Sequence, residues 1–172
     1  MIEDECVKRT KYTVTLDYGQ FYLYDRRHVS AEDDDIGALL EQAITGNGIA
    51  RGLGTVVVLF PHQNTFAMPL TVEQWDGPPP DDLIDWQEGY LTGLTVAEHG
   101  LMYQSPPWTA TSWTIRREPG RRASPDVASS IADGPAARPG DAWRLQAWPT
   151  IAPVGPRRIL YWTQPGAAEP PS

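Results

Sequence analysis

The chain has 172 residues, enough for one folded body without disulfide or metal support, and its single cysteine, Cys6, excludes an intramolecular disulfide and a cysteine-based zinc site. The net charge of −8 is unevenly spread: residues 1–100 hold 17 acids against 6 Lys or Arg, and residues 101–172 hold 5 acids against 8 Arg. An acidic surface repels nucleic-acid phosphates and attracts basic proteins. One lone thiol suits a reducing compartment. The acidic first residues lack the apolar segment of a secretion signal, and no apolar run is long enough to span a bilayer. The expectation is a cytoplasmic protein bound neither to membrane nor to nucleic acid.

In chain order, residues 1–11 are expected to form a flexible arm. Tyr12, Val14, Leu16 and Tyr18 then alternate with polar residues, the pattern of a half-buried strand. After Gly19 the apolar set shifts to Phe21 and Leu23, so a bulge or bend near Gly19 and Gln20 is expected. Ser30 reads as the N-cap of a helix over 31–45, with Asp33, Asp34 and Asp35 in its first turn and Ile36, Leu39, Leu40, Ala43 and Ile44 on one face. Gly46, Asn47 and Gly48 end it. Residues 55–60 are a β-branched apolar run, expected as a central buried strand. A strand over 66–72 follows, in which Pro69 suggests a sheet edge or bulge.

Gly77, Pro78, Pro79 and Pro80 break the chain before a helical turn over 81–88 and a strand over 90–96. Glu98, His99 and Gly100 read as a hairpin turn into a strand over 101–104. Another strand is expected over 108–117. Residues 118–140, rich in Pro, Gly, Ala, Ser and Arg, read as a disordered loop insertion. Strands over 141–148, closed by Pro149, and over 157–162 complete a domain spanning 12–163, and a Pro- and Gly-rich tail occupies 164–172. The sum is a mainly β chain: an antiparallel β-sandwich of about eight or nine strands with one covering helix, a barrel being the rival architecture.

No residue pattern specifies a reaction. His28, His62 and His99 lie far apart without ligand spacing. There is no Gly-x-Ser-x-Gly elbow, and Cys6 sits in the expected arm with nothing to hold a base beside it. Gly46, Gly48, Gly52 and Gly54 come in the order helix, glycines, strand, the reverse of a phosphate-binding loop. Neither a cofactor nor a metal site is expected. Asp76, Asp81, Asp82, Asp85 and Glu88 form an acidic group whose bland reading is helix capping and a solvated face. Seven Trp exceed what a body of this size buries equally. Trp113 and Trp143 fit inward parities, whereas Trp75, Trp86 and Trp108 adjoin Pro, Gly or acids and suit an interface.

Three stretches together resemble the competence-J type inhibitors of DNA-entry nuclease, a bacterial β-sandwich family. They are Tyr18-Gly19-Gln20-Phe21-Tyr22-Leu23-Tyr24-Asp25, the acidic stretch with Trp86 and Glu88 leading into the strand over 90–96, and Gln146-Ala147-Trp148-Pro149. The helix over 31–45 and the loop over 118–140 are departures from that pattern. The resemblance implies a sandwich fold and inhibition of a partner protein. The functional expectation is therefore a protein-binding sandwich, an inhibitor or immunity protein acting on a basic nuclease or toxin. Trp75, Asp76, Asp81, Asp82, Asp85, Trp86 and Glu88 are its expected partner-binding residues. A carbohydrate- or small-molecule-binding sandwich using exposed Trp, and a hydrolase with a metal at residues 81–88, are the alternatives.

Overall fold

The computed structural model describes residues 5–15, 19–25, 34–59, 67–96, 100–105, 109–112, 126–135 and 142–161. In chain order these form β1 (Cys6–Thr15), β2 (Gln20–Asp25), α1 (Ile36–Thr45), β3 (Ile49–Arg51), β4 (Thr55–Leu59), β5 (Ala67–Trp75), a 3₁₀ turn (Leu83–Asp85), β6 (Trp86–Thr95), β7 (Leu101–Ser105), β8 (Thr109–Ser112), β9 (Asp126–Pro135), β10 (Trp143–Thr150) and β11 (Arg157–Leu160). Two sheets result, one of six strands in the order β1-β5-β10-β9-β6-β11 and one of five in the order β3-β4-β2-β7-β8. Neighbours are antiparallel except β5 and β10, which run parallel.

The sheets face each other across an apolar layer. Val14, Leu70, Val72, Leu94 and Leu145 come from the six-stranded sheet, and Phe21, Leu23, Val56, Val58 and Leu101 from the other. Phe21 locks the two together. Its ring lies edge-on to Trp143 across the layer, 5.5 Å between centroids, and stacks on Tyr103 of its own sheet at 5.4 Å. The mainly β sandwich read from the alternating patterns is thus the observed architecture.

The break in the opening stretch lies at Gly19, whose φ of 64° is left-handed. It does more than turn a strand over. β1 belongs to the six-stranded sheet and β2 to the five-stranded one, so the chain changes sheet there. Likewise β6 and β7 do not form a hairpin but lie in opposite sheets; Gly100, at φ 91°, stands just before β7.

The unbroken apolar run of β4 has a direct cause. Val56 and Val58 face the sandwich core, while Val57 on the opposite face meets Leu39 and Ala43 of α1. The helix starts later than its acidic run suggests. Asp35 is the N-cap, accepting from the Ala38 N–H at 3.0 Å, and no acid lies in the first turn. Ser30 lies outside the described residues. Asp34 plays no part in the cap. Buried, it accepts from the N–H groups of Leu53 (2.7 Å) and Gly54 (2.9 Å) and so ties the turn between β3 and β4. Arg51, at the end of β3, reaches the other sheet by donating to the carbonyls of Gly93 (3.1 Å) and Val154 (2.9 Å).

Other expectations are corrected. Residues 6–11 are no arm; they pair along β5. Residues 126–135, expected within a disordered loop, form β9 between β10 and β6. Pro69 does not mark an edge, because β1 covers β5 on that side; the ladder with β10 begins one residue later, at Leu70. Pro149 does not stop β10, which continues to Thr150. Strand β6 begins at Trp86, so Glu88 belongs to a strand rather than a helical turn. Eleven strands are present among the described residues, against the smaller number expected, chiefly because β9 and the three-residue β3 have little sequence signal. Trp108, Trp113, the three histidines and the tail over 164–172 lie outside the described residues.

Candidate functional site

The segment joining β5 to β6 carries most of the residues expected to meet a partner. It leaves the sheet at Asp76, whose backbone N–H donates to the Glu5 carbonyl (3.2 Å) while its carboxylate accepts from the Glu5 N–H (2.7 Å). Three prolines then remove backbone donors and restrict φ, which stiffens the way out. Asp81, Ile84 and Asp85 are exposed, Ile84 at 92%. Asp81 and Asp85 have no hydrogen-bond or ion-pair partner among the described residues.

A clasp holds this segment to the sheet. Arg144 of β10 grips Asp82 with two parallel hydrogen bonds of 2.7 and 2.6 Å, the bidentate geometry in which guanidinium and carboxylate match best. The Arg144 guanidinium carbon lies 4.5 Å from the Trp86 ring centroid, so the same cation covers one face of that indole. The Arg144 side chain is buried and that of Asp82 is half-exposed. The clasp therefore sits at the boundary between sheet and solvent, with Asp81 and Ile84 beyond it.

Beside the clasp, Glu73 of β5 gathers a second polar cluster. Although buried, it accepts from Arg9 Nε (2.8 Å), Trp75 Nε1 (3.1 Å) and Gln146 Nε2 (3.1 Å). These bonds stitch β1, β5 and β10 together, since Arg9 and Gln146 are the residues in register with Glu73 on either side. Cys6 lies at this edge; partial burial, then the nearby Glu73 charge, push its thiol above the usual cysteine value.

Glu88 does not belong to the exposed group, which corrects the expectation that it faces a partner. It is 1% exposed and forms an ion pair with Arg158 of β11. Tyr90 O–H points to both the Glu88 carboxylate (3.2 Å) and the Leu59 carbonyl (2.9 Å). Arg158 is brought there by register, standing opposite Tyr90 in the β6–β11 ladder, and its guanidinium also lies 4.8 Å from the Tyr161 ring centroid. The alternation of β6 contained the signal: Glu88 shares the parity of Tyr90 and Leu94, both core residues.

The structure thus brings Asp82 and Trp86 together around Arg144, turns the polar edge of Trp75 onto Glu73, leaves Asp81 and Asp85 in solvent and removes Glu88 to the interior. A stacking platform for sugars loses one face of Trp86, which Arg144 covers. Among the described residues no three His, Cys, Asp or Glu side chains converge on a point where a metal could bind, and no helix is long and apolar enough to cross a membrane.

Comparison with solved structures places the architecture. ComJ from Bacillus subtilis, the inhibitor of the DNA degrading activity of NucA, matches 86% of this chain and 98% of its own at a TM-score of 0.57 and 13% identity. The chain has a ComJ-like fold. The product of crocagin biosynthetic gene J matches the same share of this chain and 99% of its own, at a TM-score of 0.52 and 9% identity. No protein-family model and no curated protein matches the sequence. At these identities the likeness shows the fold alone.

Proposed function

We propose that this ComJ-like chain is a protein-binding module that inhibits a basic partner, a nuclease or toxin, by covering its cationic surface. The observation that carries the reading is the 78–85 segment: Asp81 and Asp85 flank an almost fully exposed Ile84, on a stretch anchored by Asp82, Arg144 and Trp86. A large aliphatic residue left in water between two acids that have no partner among the described residues suits docking better than stability. The acids steer a cationic protein and set the association rate, and Ile84 buries on contact and slows dissociation. Trp75 and Asp76 lie at the foot of the segment and complete the patch. Asp82 and Trp86 act by holding it in place. The inhibitory role of ComJ supports the class of partner, and the surplus of acids in residues 1–100 supports its charge.

The test starts from capture of a partner from native lysate at low and moderate salt, followed by kinetics with the purified pair. Asp81→Lys/Asp85→Lys is expected to slow association about tenfold or more at low salt with little effect at high salt. Ile84→Asp is expected to speed dissociation. An association rate unchanged by the double reversal refutes the reading.

A further inference from the structure

The six-stranded sheet ends in β1, and among the described residues β1 pairs with β5 alone. The strand is ten residues long. After a register shift between Cys6 and Lys8 its ladder runs unbroken from Lys8 to Thr15. In an antiparallel ladder alternate residues turn their N–H and C=O groups away from the neighbouring strand. The outer side of β1 therefore presents backbone donors and acceptors that β5 does not use, and Val7, Lys8, Arg9, Lys11 and Thr13 are exposed along it.

The charge of this edge is opposite to that of its surroundings. Lys8, Arg9 and Lys11 are three of the six cations in residues 1–100, a stretch that holds 17 acids. They occupy both rows of the strand: Arg9 and Lys11 share the parity of the bond to Glu73, and Lys8 shares the parity of the core residue Val14. A second copy laid antiparallel along this stretch would set cations against cations, which destabilises facing strands. An extended segment with acids at alternate positions meets the opposite situation, gaining backbone hydrogen bonds and cross-strand ion pairs together.

We propose that β1 is a receiving edge for an extended acidic segment of a partner protein, which adds to the sheet as a further strand with its alternate acids in one row beside Arg9 and Lys11. This surface stands whether or not the 78–85 segment binds a basic protein, because its charge and its mode of recognition are both different.

The test uses the full chain and two soluble synthetic peptides of about ten residues, one alternating Glu with Thr and the other alternating Lys with Thr. Amide hydrogen exchange is read by NMR. With the Glu peptide at about 1 mM, the amides of Lys8–Thr15 that point away from β5 are expected to exchange about tenfold more slowly, with no change from the Lys peptide. Lys8→Glu/Lys11→Glu, which leaves the Arg9–Glu73 bond intact, is expected to reverse the preference. Equal protection by both peptides, or protection by neither, overturns the proposal. So does self-association of Lys8→Thr/Lys11→Thr without peptide uptake by the unaltered chain, which would make the cations a guard against self-pairing and nothing more.

Discussion

Replacing Arg158 by leucine takes the cation from Glu88 and leaves that carboxylate 1% exposed, with the Tyr90 hydroxyl, already shared with Leu59, beside it. Breaking one side of a buried pair costs about 3–5 kcal/mol, because a charge stays behind without compensation. The Arg158 side chain is 20% exposed, so part of the pair is solvated, and the lower end of that range applies, about 3 kcal/mol. For a chain of this size each kcal/mol moves the melting temperature by roughly 2–4 °C, so Arg158→Leu is expected to melt roughly 6–12 °C lower. Glu88→Leu/Arg158→Leu removes both charges and is expected to recover most of the loss, to within about 1 kcal/mol of the unaltered chain. Urea denaturation of the three proteins measures both values. A loss under about 1 kcal/mol for Arg158→Leu, or a double variant no better than the single, refutes the account of Glu88 as a buried charge that depends on Arg158.

Three further outcomes are expected. The clasp is asymmetric in exposure, 9% for the Arg144 side chain and 47% for Asp82, so Asp82→Ala strands a buried guanidinium and costs about 2–3 kcal/mol, whereas Arg144→Met releases Asp82 to water and costs about 1 kcal/mol; denaturation of the two variants gives the order, and hydrogen exchange across residues 81–86 is expected to quicken in both. Burial acts to raise the Asp34 pKa, but hydrogen bonds from Gly54, Leu53 and Thr55 outweigh it and hold the carboxyl below the usual aspartate value. Its stabilising share is therefore complete above the unfolded value of about 4 and is lost as pH falls through the lower folded value, so stability followed from about pH 5 to pH 2 is expected to fall less steeply in Asp34→Asn than in the unaltered chain. Gly48 has a φ of 78°, and an added Cβ there would lie 3.3 Å from the Tyr90 hydroxyl, so Gly48→Ala is expected to cost about 1–2 kcal/mol by denaturation.

The parts of the fold legible in the sequence are those whose cause is local. β2 alternates because one face of it is buried, and β4 is apolar throughout because α1 covers the face that the core does not. β9 is not legible in this way. Its stretch Val127-Ala128-Ser129-Ser130-Ile131-Ala132 has modest apolar content, and it is a strand because β10 and β6 pair with it on both sides. The candidate site divides in the same way. Acids and Trp around residues 75–86 stand out by composition. What each does is set by residues far along the chain: Asp82 by Arg144, Trp75 by the Glu73 cluster that Gln146 completes, and Glu88 by Arg158. Glu88 is misleading in sequence because its neighbours Asp81, Asp82 and Asp85 are solvent-facing, and the parity of β6 outweighs that company.

The strand order of the six-stranded sheet carries a consequence for synthesis. The five-stranded sheet draws all its strands from residues 20–112, so it can pair while the rest of the chain is still being made. The six-stranded sheet cannot follow suit, because β10 wedges between β5 and β9. Until residue 150 has emerged, β1–β5 and β6–β9 are separate ribbons, and the apolar face of the five-stranded sheet lacks the Trp143 and Leu145 that β10 brings to it. Such a chain folds late and by distant pairings, and the interval before closure is when it is most open to aggregation or to chaperone capture.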